Sequence, residues 1–565
     1  MRDIYPRLER LPHDWLVRPE DQPDYLELPG VQLDETVDLG SMLCDVHVRD
    51  GRGDATAIVH HESGRILSFA HLSELSDKAA AAFHHLGVRA GDRVALRGAN
   101  CPELVIAAVA TWKIGAVVTL IPAMARAREV EFFLTDTRPR LVVLAQPEPE
   151  DVVSVLTQSE DLIVVATQPG PGRPLIWQQL LDSAGPRPMV PTDLDRVAIV
   201  WHTGGTTGRP KGCYHTQRRF LLGGISLGKA IRSSARERWA GHDERWAAAA
   251  PFGHALGFIH STNFTLLNGV TLVLVSNLAN PRIMIEALAE RDVTQFTAIA
   301  ATWGKVLELL NSGEVVQPPT LRRGFAMWQS SSASDVAEGW RRRGIELLNN
   351  FGSTAFATWV LVPPGQHVPR ASLGAAAPGY EVQAIDLSVD DVARPMPTGE
   401  PGRMAVRGPT GLTYWRLPDK QRADVRFGCS LQDDLIRFNA DGIAEYLGRT
   451  DFMISTAGHK VAPVEVETVL GAHPAVRESV VFGLPDHTRQ EIVAAFVVLN
   501  DRFERTSSLR RELQDFVKAN LAPYKYPRRL DFIDALPRDA VGKVQPRLVR
   551  DCVIAAQNES RRSPR

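Results

Sequence analysis

The stretch that decides the fold is VAIVWHTGGTTGRPKG, residues 197–212, where an apolar run leads into a glycine-rich loop. The run Val197–Trp201 predicts a buried strand. The loop that follows combines small, hydroxyl and cationic residues: Thr203, Gly204, Gly205, Thr206, Thr207, Gly208, Lys211 and Gly212. Glycines let backbone N–H groups approach phosphate oxygens, while hydroxyls and a cation add directed hydrogen bonds. The stretch therefore predicts a phosphate-binding loop. An ordinary surface turn would not need three hydroxyls and a lysine in this order.

Helical and strand patterns alternate on both sides of this loop. Apolar residues from Leu72 to Leu86 recur at three- and four-residue spacing, which predicts a helix ended by Gly87. A second helix is expected from Pro102 to about Ile114. Further strands are predicted at 94–96, 116–120, 141–144, 163–165 and 270–275. Strands separated by helices predict an α/β fold, in which helices cover mostly parallel sheets.

The last hundred residues have a different pattern. A short helix at 464–470, strands at 479–482 and 493–499, and a helix at 509–517 capped by Ser507 or Ser508 predict a small α+β module. A chain of 565 residues is also longer than one core normally organises. We therefore expect a large N-terminal domain, residues 1–450, and a small mobile C-terminal domain, residues 451–565.

Composition excludes several classes of function. Lys plus Arg total 64 and Asp plus Glu total 66, so a net charge of −2 gives no general attraction to nucleic acid or anionic membranes. The five cysteines form no CxxC pair, which argues against a zinc site or a disulfide framework. The N-terminus lacks the apolar core of a signal peptide, and no apolar run has membrane-spanning length. These features predict a cytoplasmic protein.

The phosphate loop resembles the signature of the adenylate-forming superfamily, which includes acyl-CoA synthetases, non-ribosomal adenylation domains and luciferases. The resemblance extends in order over most of residues 50–550. A second match is Asn350, Phe351, Gly352, Ser353 and Thr354, which looks like the family's aromatic-Gly-x-Thr-Glu segment. The resemblance implies that the ring lies against adenine and that Thr354 meets the phosphate.

One position departs from this pattern. The family usually has glutamate where this chain has Ala355, and that carboxylate helps to hold Mg²⁺. The metal ligand is therefore unknown. From the sequence alone, Ala355→Glu would leave activity unchanged or raise it.

Further matches follow in the second half of the chain. Asp434 stands where the family has a ribose-binding aspartate, although Gln432 and Asp433 replace its usual Thr-Gly. Gly448 to Ile454 resembles the hinge segment, with Arg449 reaching ribose or phosphate and Asp451 as the pivot. The resemblance places Gly458 near the coenzyme A channel, and Lys460 is predicted as a further cofactor-binding residue.

The resemblance also implies catalytic residues. Lys543, in the loop after Leu536, corresponds to the lysine that enters the active site during adenylation, and Lys211 acts with it. His254, in the segment PFGHALG at 251–257, would flank the substrate carboxylate. Thr354 completes this predicted catalytic set.

These residues imply an ATP-dependent acid–thiol ligase that uses ATP, Mg²⁺ and coenzyme A. The PFGHALG segment and the phosphate loop most resemble those of aryl-acid ligases, such as those for benzoate or aminobenzoate. The resemblance therefore implies a small carboxylic acid as the partner. Loading of a separate carrier protein, a catalytically degraded nucleotide-binding relative, and a homodimer are left open.

Overall fold

The computed structural model describes residues 12–158, 161–170, 172, 174–203, 210–234, 244–327, 333–363, 372–386, 393–456, 459–486, 489–538, 544 and 549–550. Two sheets within this part of the chain are almost entirely parallel. The first, in spatial order, contains Leu175–Ile176, Ile163–Ala166, Leu141–Leu144, Arg93–Arg97, Val117–Ile121, Val197–Thr203 and Lys211–Thr216. The second contains Glu346–Asn349, Arg323–Met327, Gln295–Ile299, Arg245–Ala248, Thr271–Leu274, Thr56–His60 and Ile66–Ser68. In each sheet the last strand named runs antiparallel to its neighbour.

Helices cover both sheets, as the alternating pattern predicted. The helix Pro102–Lys113 is buried over nearly its whole surface, and the Trp112 Nε1 group donates to the Ala198 carbonyl at 2.8 Å. It shares one large core with Phe69–His85 and with residues from both sheets. The outer face of the first sheet packs on Ala127–Thr137 and Glu150–Thr157. The outer face of the second sheet packs on Pro281–Glu290, Ala300–Asn311 and Ala333–Arg342.

A third sheet is antiparallel throughout, and the sequence patterns did not predict it. Its strands, in spatial order, are Phe351–Ser353, Thr358–Val362, Ser372–Ala376, Ala444–Arg449, Cys429–Phe438, Gly402–Arg407, Glu381–Asp386 and Arg394–Pro395, with Val425–Arg426 paired to Cys429–Phe438. Several of these strands are short and only half-buried, so their apolar residues form no long run. The sheet carries the aromatic-Gly segment at one edge and Asp434 near its centre.

The C-terminal module forms its own core around a five-stranded sheet. Its strands are His459–Val461, Ile454–Thr456, Gln490–Leu499, Val476–Asp486 and Arg529–Phe532, and its helices are Pro463–Gly471 and Ser507–Asn520. The predicted cap of the second helix was wrong. The Thr506 hydroxyl accepts the Leu509 N–H at 3.1 Å, so neither Ser507 nor Ser508 is the N-cap. Both serines lie in the first helical turn.

The remaining helices complete the architecture. They are Leu39–Leu43, Asp45–His47, Trp177–Asp182, Gln217–Ser234, Ala255–Ile259 and Pro418–Asp424, and a π-helical turn at His260–Phe264 continues the fifth of them. The four described cysteines, Cys44, Cys101, Cys213 and Cys429, are free thiols. None of the helices in the described ranges is both long and apolar enough to cross a membrane.

Candidate functional site: a nucleotide site between three sheets

The predicted phosphate loop connects two strands of a hairpin. The strand Val197–Thr203 runs out along the first sheet, and Lys211–Thr216 returns antiparallel to it, with Thr203 opposite Lys211. Loops at the carboxyl ends of parallel strands are the usual ligand sites of such sheets. Gly204, Gly205, Thr206, Thr207 and Gly208 lie outside the described residues, as does the side chain of Thr203. The described strands place both ends of this loop at the carboxyl edge of the sheet.

Lys211 lies among acidic and basic side chains of the third sheet and its neighbouring helix. Its ammonium is close enough to Lys420, Asp424 and Asp433 for their charges to act on it. Partial burial, followed by the positive charge of Lys420, lowers the pKa of Lys211. The lysine of the phosphate loop therefore faces the segment that contains Asp434.

Gly212 marks a close approach behind the loop. A Cβ atom at this position would lie 2.8 Å from the Trp415 Cβ atom, which is closer than real side chains come. The Gly212 carbonyl accepts the Trp415 N–H at 2.8 Å. Glycine is required here because the Trp415 side chain leaves no room for a Cβ atom.

The aromatic-Gly segment is tied directly to the phosphate-loop hairpin. The Thr354 carbonyl accepts a hydrogen bond from Trp201 Nε1 at 3.2 Å, and His215 Nε2 lies 3.1 Å from the same oxygen. Because a carbonyl oxygen can only accept, the His215 proton is on Nε2. Burial lowers the pKa of His215 to about 4, so its ring is neutral at physiological pH. Neither Trp201 nor His215 was singled out from the sequence.

Ser353 and Gly352 join the same segment to the third sheet. The Ser353 hydroxyl donates to Gln432 Oε1 at 3.2 Å, so the glutamine that departs from the family pattern has a contact of its own. A Cβ at Gly352 would lie 2.4 Å from the Thr358 carbonyl oxygen. The neighbouring Phe351 is 6% exposed and packs in the main core, and Asn350 is 3% exposed.

Asp434 and Arg449 face each other on adjacent strands. They are register partners in the antiparallel pair Cys429–Phe438 and Ala444–Arg449. Arg449 lies 3.9 Å from the Asp434 carboxylate and 3.2 Å from Asp433. The Tyr446 hydroxyl donates to Asp434 Oδ1 at 3.2 Å, a contact that the sequence did not suggest. The structure thus brings the predicted ribose ligand and the predicted hinge arginine together.

Comparison with known proteins decides the family. The model of the AMP-binding enzyme family matches residues 46–415, and the model of the AMP-binding enzyme C-terminal domain matches residues 465–543. The chain is an AMP-binding enzyme. The predicted superfamily, enzyme class and α/β fold with a small C-terminal domain are confirmed.

Several relatives can be aligned over most of this AMP-binding enzyme. The chain is 29% identical over 508 residues to the human mitochondrial acyl-coenzyme A synthetase ACSM5, and the alignment covers 85% of this chain and 83% of the relative. It is 27% identical over 538 residues to benzoate–CoA ligase of Thauera aromatica, covering 92% and 96%.

Solved structures agree with the fold. The anthranilate CoA ligase AuaEII in complex with anthranoyl-AMP has a TM-score of 0.81 at 24% identity, with 93% of this chain and 99% of that chain covered. A benzoate CoA ligase from Burkholderia xenovorans LB400 has a TM-score of 0.77 at 25% identity, with 91% and 100% covered. Two further neighbours, at 24% and 23% identity, are ATP-bound structures with the same fold. The family match and the acyl-coenzyme A synthetase relatives confirm the predicted use of ATP, Mg²⁺ and coenzyme A for this enzyme class.

The residue at the usual metal-ligand position is buried in this AMP-binding enzyme. Ala355 is 5% exposed and belongs to the main hydrophobic core. Across the described residues, no group of three or more His, Cys, Asp or Glu side chains could hold a metal ion. Asp433 and Asp434 are engaged by arginine and tyrosine. A Mg²⁺ ion, which commonly keeps its waters and binds substrate phosphates, would enter with the triphosphate.

His254 lies directly before the helix Ala255–Ile259. Its side chain is exposed, and its Nδ1 atom accepts the Leu256 N–H at 3.2 Å as the N-cap of Ala255–Ile259. From this cap the chain continues inward to the buried turn His260–Phe264. His254 therefore has an observed structural role as a helix cap in addition to its predicted catalytic one.

The hinge segment is described in part. Residues Thr450–Phe452 form a short 3₁₀ turn directly after Arg449, and Lys460 pairs with Ser455 in the first hairpin of the small sheet. Gly458 and Lys543 lie outside the described residues, as do the side chains of Asp451 and Lys460. Their predicted roles remain predictions.

Proposed function

We propose that this AMP-binding enzyme activates an aromatic carboxylic acid as its adenylate and transfers the acyl group to the thiol of coenzyme A. The observation that carries the proposal is the joining of distant motifs by hydrogen bonds. Trp201 on the phosphate-loop strand contacts Thr354, and the adjacent Ser353 contacts Gln432, two residues before Asp434. Sites for phosphate, adenine and ribose are needed together by an enzyme that handles ATP.

The first step forms the acyl-adenylate. A carboxylate oxygen attacks the α-phosphorus of ATP, and the bond to the bridging oxygen breaks to release pyrophosphate. Two anions must be brought together, so positioning and positive charge dominate the catalysis. Lys211 supplies charge at the phosphate loop, Asp434 accepts the ribose hydroxyls, and Thr354 lies at the phosphate. Lys543 is the second cation in this proposal.

The second step forms the thioester. The coenzyme A sulfur attacks the acyl carbonyl carbon, the bond to the AMP phosphate oxygen breaks, and the thiol proton leaves to solvent. Lys543 serves the first step alone, so the small domain, residues 451–565, rotates on the large domain, residues 1–450, about Asp451. Gly458 and Lys460 then line the path of coenzyme A.

Two features support an aromatic acid. Relatives that cover most of the chain include a benzoate–CoA ligase, and one structural neighbour contains anthranoyl-AMP. In addition, the turn that follows the His254-capped helix packs among aromatic side chains, with Phe264 4.9 Å from Trp359 between ring centroids. An aromatic lining favours a flat, apolar acyl group.

The test is a screen of carboxylic acids with ATP and purified protein. Pyrophosphate release with acid alone, followed by AMP and thioester formation when coenzyme A is added, is expected for benzoate-type acids. Thioester formation with a phosphopantetheinylated carrier protein but not with coenzyme A would instead identify a carrier-loading enzyme. Release of ADP and phosphate would contradict the proposal.

A further inference from the structure

Two buried polar side chains in the second sheet region have an atom without a hydrogen-bond partner. His260 Nε2 and Thr297 Oγ1 contact no donor or acceptor within the described ranges, although each residue is 1% exposed. Buried polar atoms in proteins are nearly always paired, and an exception points to a missing water, ion or ligand. These two atoms therefore call for a partner that the described residues do not supply.

The two side chains belong to one group that is linked by ring contacts and strand register. His260 lies 6.4 Å from Trp246 and 6.5 Å from Phe264, measured between ring centroids. The Trp359 ring contacts two further rings, with centroid distances of 4.9 Å to Phe264 and 4.8 Å to Phe325. We call this group the aromatic enclosure, and it comprises Trp246, His260, Phe264, Thr297, Phe325 and Trp359.

Strand register places Thr297 beside two other members of the enclosure. Thr297 is the register partner of both Phe325 and Ala248 on its two neighbouring strands. Side chains two residues apart on a strand share a face, so Trp246 points to the same side as Ala248 and Thr297. The Thr297 hydroxyl thus lies on the face of the sheet that Trp246 and Phe325 flank.

The enclosure lies at the same sheet edge as the segment predicted to bind adenine. Thr297 is two residues from the carboxyl end of its strand, the edge at which parallel sheets bind ligands. Asn350 follows the end of another strand of this sheet and precedes Phe351, and both polar atoms of its amide are buried and unpaired within the described part of the chain. The enclosure and the adenylate segment therefore share one edge.

The spacing between His254 and His260 suits a single ring. His254 is exposed, whereas His260 is buried six residues further along an almost continuous helical path. Six residues at about 1.5 Å each span roughly 9 Å. A carboxylate beside His254 would put the opposite end of a benzoic acid ring near His260.

The charge of the enclosure restricts what can enter. Burial lowers the pKa of His260 to about 3, so its imidazole is neutral at physiological pH and offers one donor and one acceptor. None of the six residues carries a charge. A second carboxylate or an ammonium group would lose its hydration without a counter-charge, while a bare hydrocarbon ring would leave both polar atoms unpaired.

We infer that the aromatic enclosure binds the ring of an aromatic acid that carries a neutral hydrogen-bonding substituent, a hydroxyl or an uncharged amino group, which pairs with His260 and Thr297. This inference rests on the proposed function, whose acyl site it specifies. His260 and Thr297 are then specificity-determining residues, because the substituent completes their hydrogen bonds.

The experiment compares kcat/KM for thioester formation from benzoate, the hydroxy- and aminobenzoates, and a benzene dicarboxylate. We expect the wild-type enzyme to prefer at least one hydroxy- or amino-substituted acid over benzoate by about tenfold or more, and to reject the dicarboxylate. Thr297→Val should reduce that preference several-fold, and His260→Phe should bring it close to unity. His260→Gln, which keeps a donor and an acceptor, should retain part of the preference.

Thr119→Val is the matched control, because its hydroxyl is also fully buried and unpaired within the described ranges but belongs to a strand of the first sheet. This variant should keep the wild-type ratio. Thermal stabilisation by each acid, measured with ATP present and without coenzyme A, gives the same ranking independently of turnover. If the ratio of kcat/KM for the substituted acid to kcat/KM for benzoate is unchanged in both His260→Phe and Thr297→Val, the inference is wrong, although acid–CoA ligation is unaffected. Preference for benzoate or the dicarboxylate also overturns the inference, whereas no thioester from any acid contradicts the proposed function itself.

Discussion

The indole Nε1 of Trp201 donates a hydrogen bond to the main-chain carbonyl of Thr354 at 3.2 Å. Trp201 is 1% exposed and lies on the strand that enters the phosphate loop, whereas Thr354 ends the aromatic-Gly segment 153 residues later. His215, on the returning strand of the same hairpin, approaches the same oxygen at 3.1 Å. One carbonyl group therefore sets the distance between two predicted parts of the nucleotide site.

Trp201→Phe tests this contact, because phenylalanine retains an aromatic ring but cannot donate. We expect the KM for ATP in the ATP–pyrophosphate exchange reaction to rise several-fold, because loss of a hydrogen bond of this kind typically costs about 1 kcal/mol. The control is Trp112→Phe, which removes an indole bond to Ala198 on the same strand. An equal rise in KM for both variants would show that Thr354 is not specially dependent on Trp201.

Ala355→Glu is expected to lower activity in this protein, the reverse of the expectation from sequence alone. Ala355 is 5% exposed and packs within the main core, so a glutamate there would have to displace neighbours or bury its charge. Ala355→Ser, a small substitution, should be tolerated better. Adenylate formation and thermal stability of both variants decide the point, and a more active, stable Ala355→Glu enzyme would restore the interpretation of a weakened metal site.

Glu467 should make stability depend on pH. It lies on the helix Pro463–Gly471, its carboxylate accepts the Val481 N–H at 2.8 Å, and burial raises its pKa from 4.5 to about 7. The native state therefore binds more protons than the unfolded state between these values, so the free energy of unfolding falls as pH rises through this window. The shift corresponds to at most about 3 kcal/mol.

The measurement is the melting temperature between pH 5 and pH 8. Glu467→Gln, which needs no proton to be neutral, should flatten the decline and raise the melting temperature at pH 8. Glu465→Gln, on the same helix and paired with Lys525, is the control and should keep the wild-type slope. A slope unaffected by Glu467→Gln would assign the pH dependence to other groups.

Lys543→Ala should damage adenylate formation far more than thioester formation from a supplied acyl-adenylate. Loss of a preorganised charge contact to the transition state typically costs about 3–4 kcal/mol, roughly 10²–10³ in rate. The thiolation step should be nearly spared because the lysine has left the site by then. Equal loss in both steps, with the fold intact, would refute domain alternation but not adenylation.

Asp451→Pro should give a selective defect of its own. Proline fixes φ and would restrict rotation at the proposed pivot, which follows Arg449 in the turn Thr450–Phe452. One half-reaction should fail while the other persists, as measured separately with isolated adenylate. Unimpaired turnover in both steps would move the pivot elsewhere.

Local patterns were enough to predict the parallel sheets. The apolar runs at 141–144 and 197–201 lie within observed strands, and Gly87 has the positive φ of 88° expected of a helix stop. The antiparallel sheet was missed because its strands contain no long apolar run: even the ten-residue strand Cys429–Phe438 alternates apolar with polar and charged side chains. In addition, Phe351–Ser353 turns back at once into Thr358–Val362. Thr506 was overlooked as a cap because two serines directly after it offered the same chemistry.

The site was predicted as a set of motifs but not as a set of contacts. Motif spacing indicated Asp434 and Arg449, yet the hydrogen bond from Tyr446 to Asp434 depends on a bulged register between two strands. The unpaired atoms of His260 and Thr297 depend on long-range packing, so no local spacing could have revealed them. Sequence alone predicts which kinds of functional side chain are present. Long-range packing determines which of their polar atoms are hydrogen-bonded within the protein and which are unpaired.

The pairing of Asp434 with Arg449 sets a practical rule for exchanging domains between relatives. Arg449 belongs to the last strand before the 3₁₀ turn, and its register partner carries the predicted ribose ligand. A hybrid gene joined before residue 449 would import a foreign side chain into the recipient's own nucleotide site. A junction after Arg449, within 450–452, would take both Asp434 and Arg449 from one parent and so keep this pair intact.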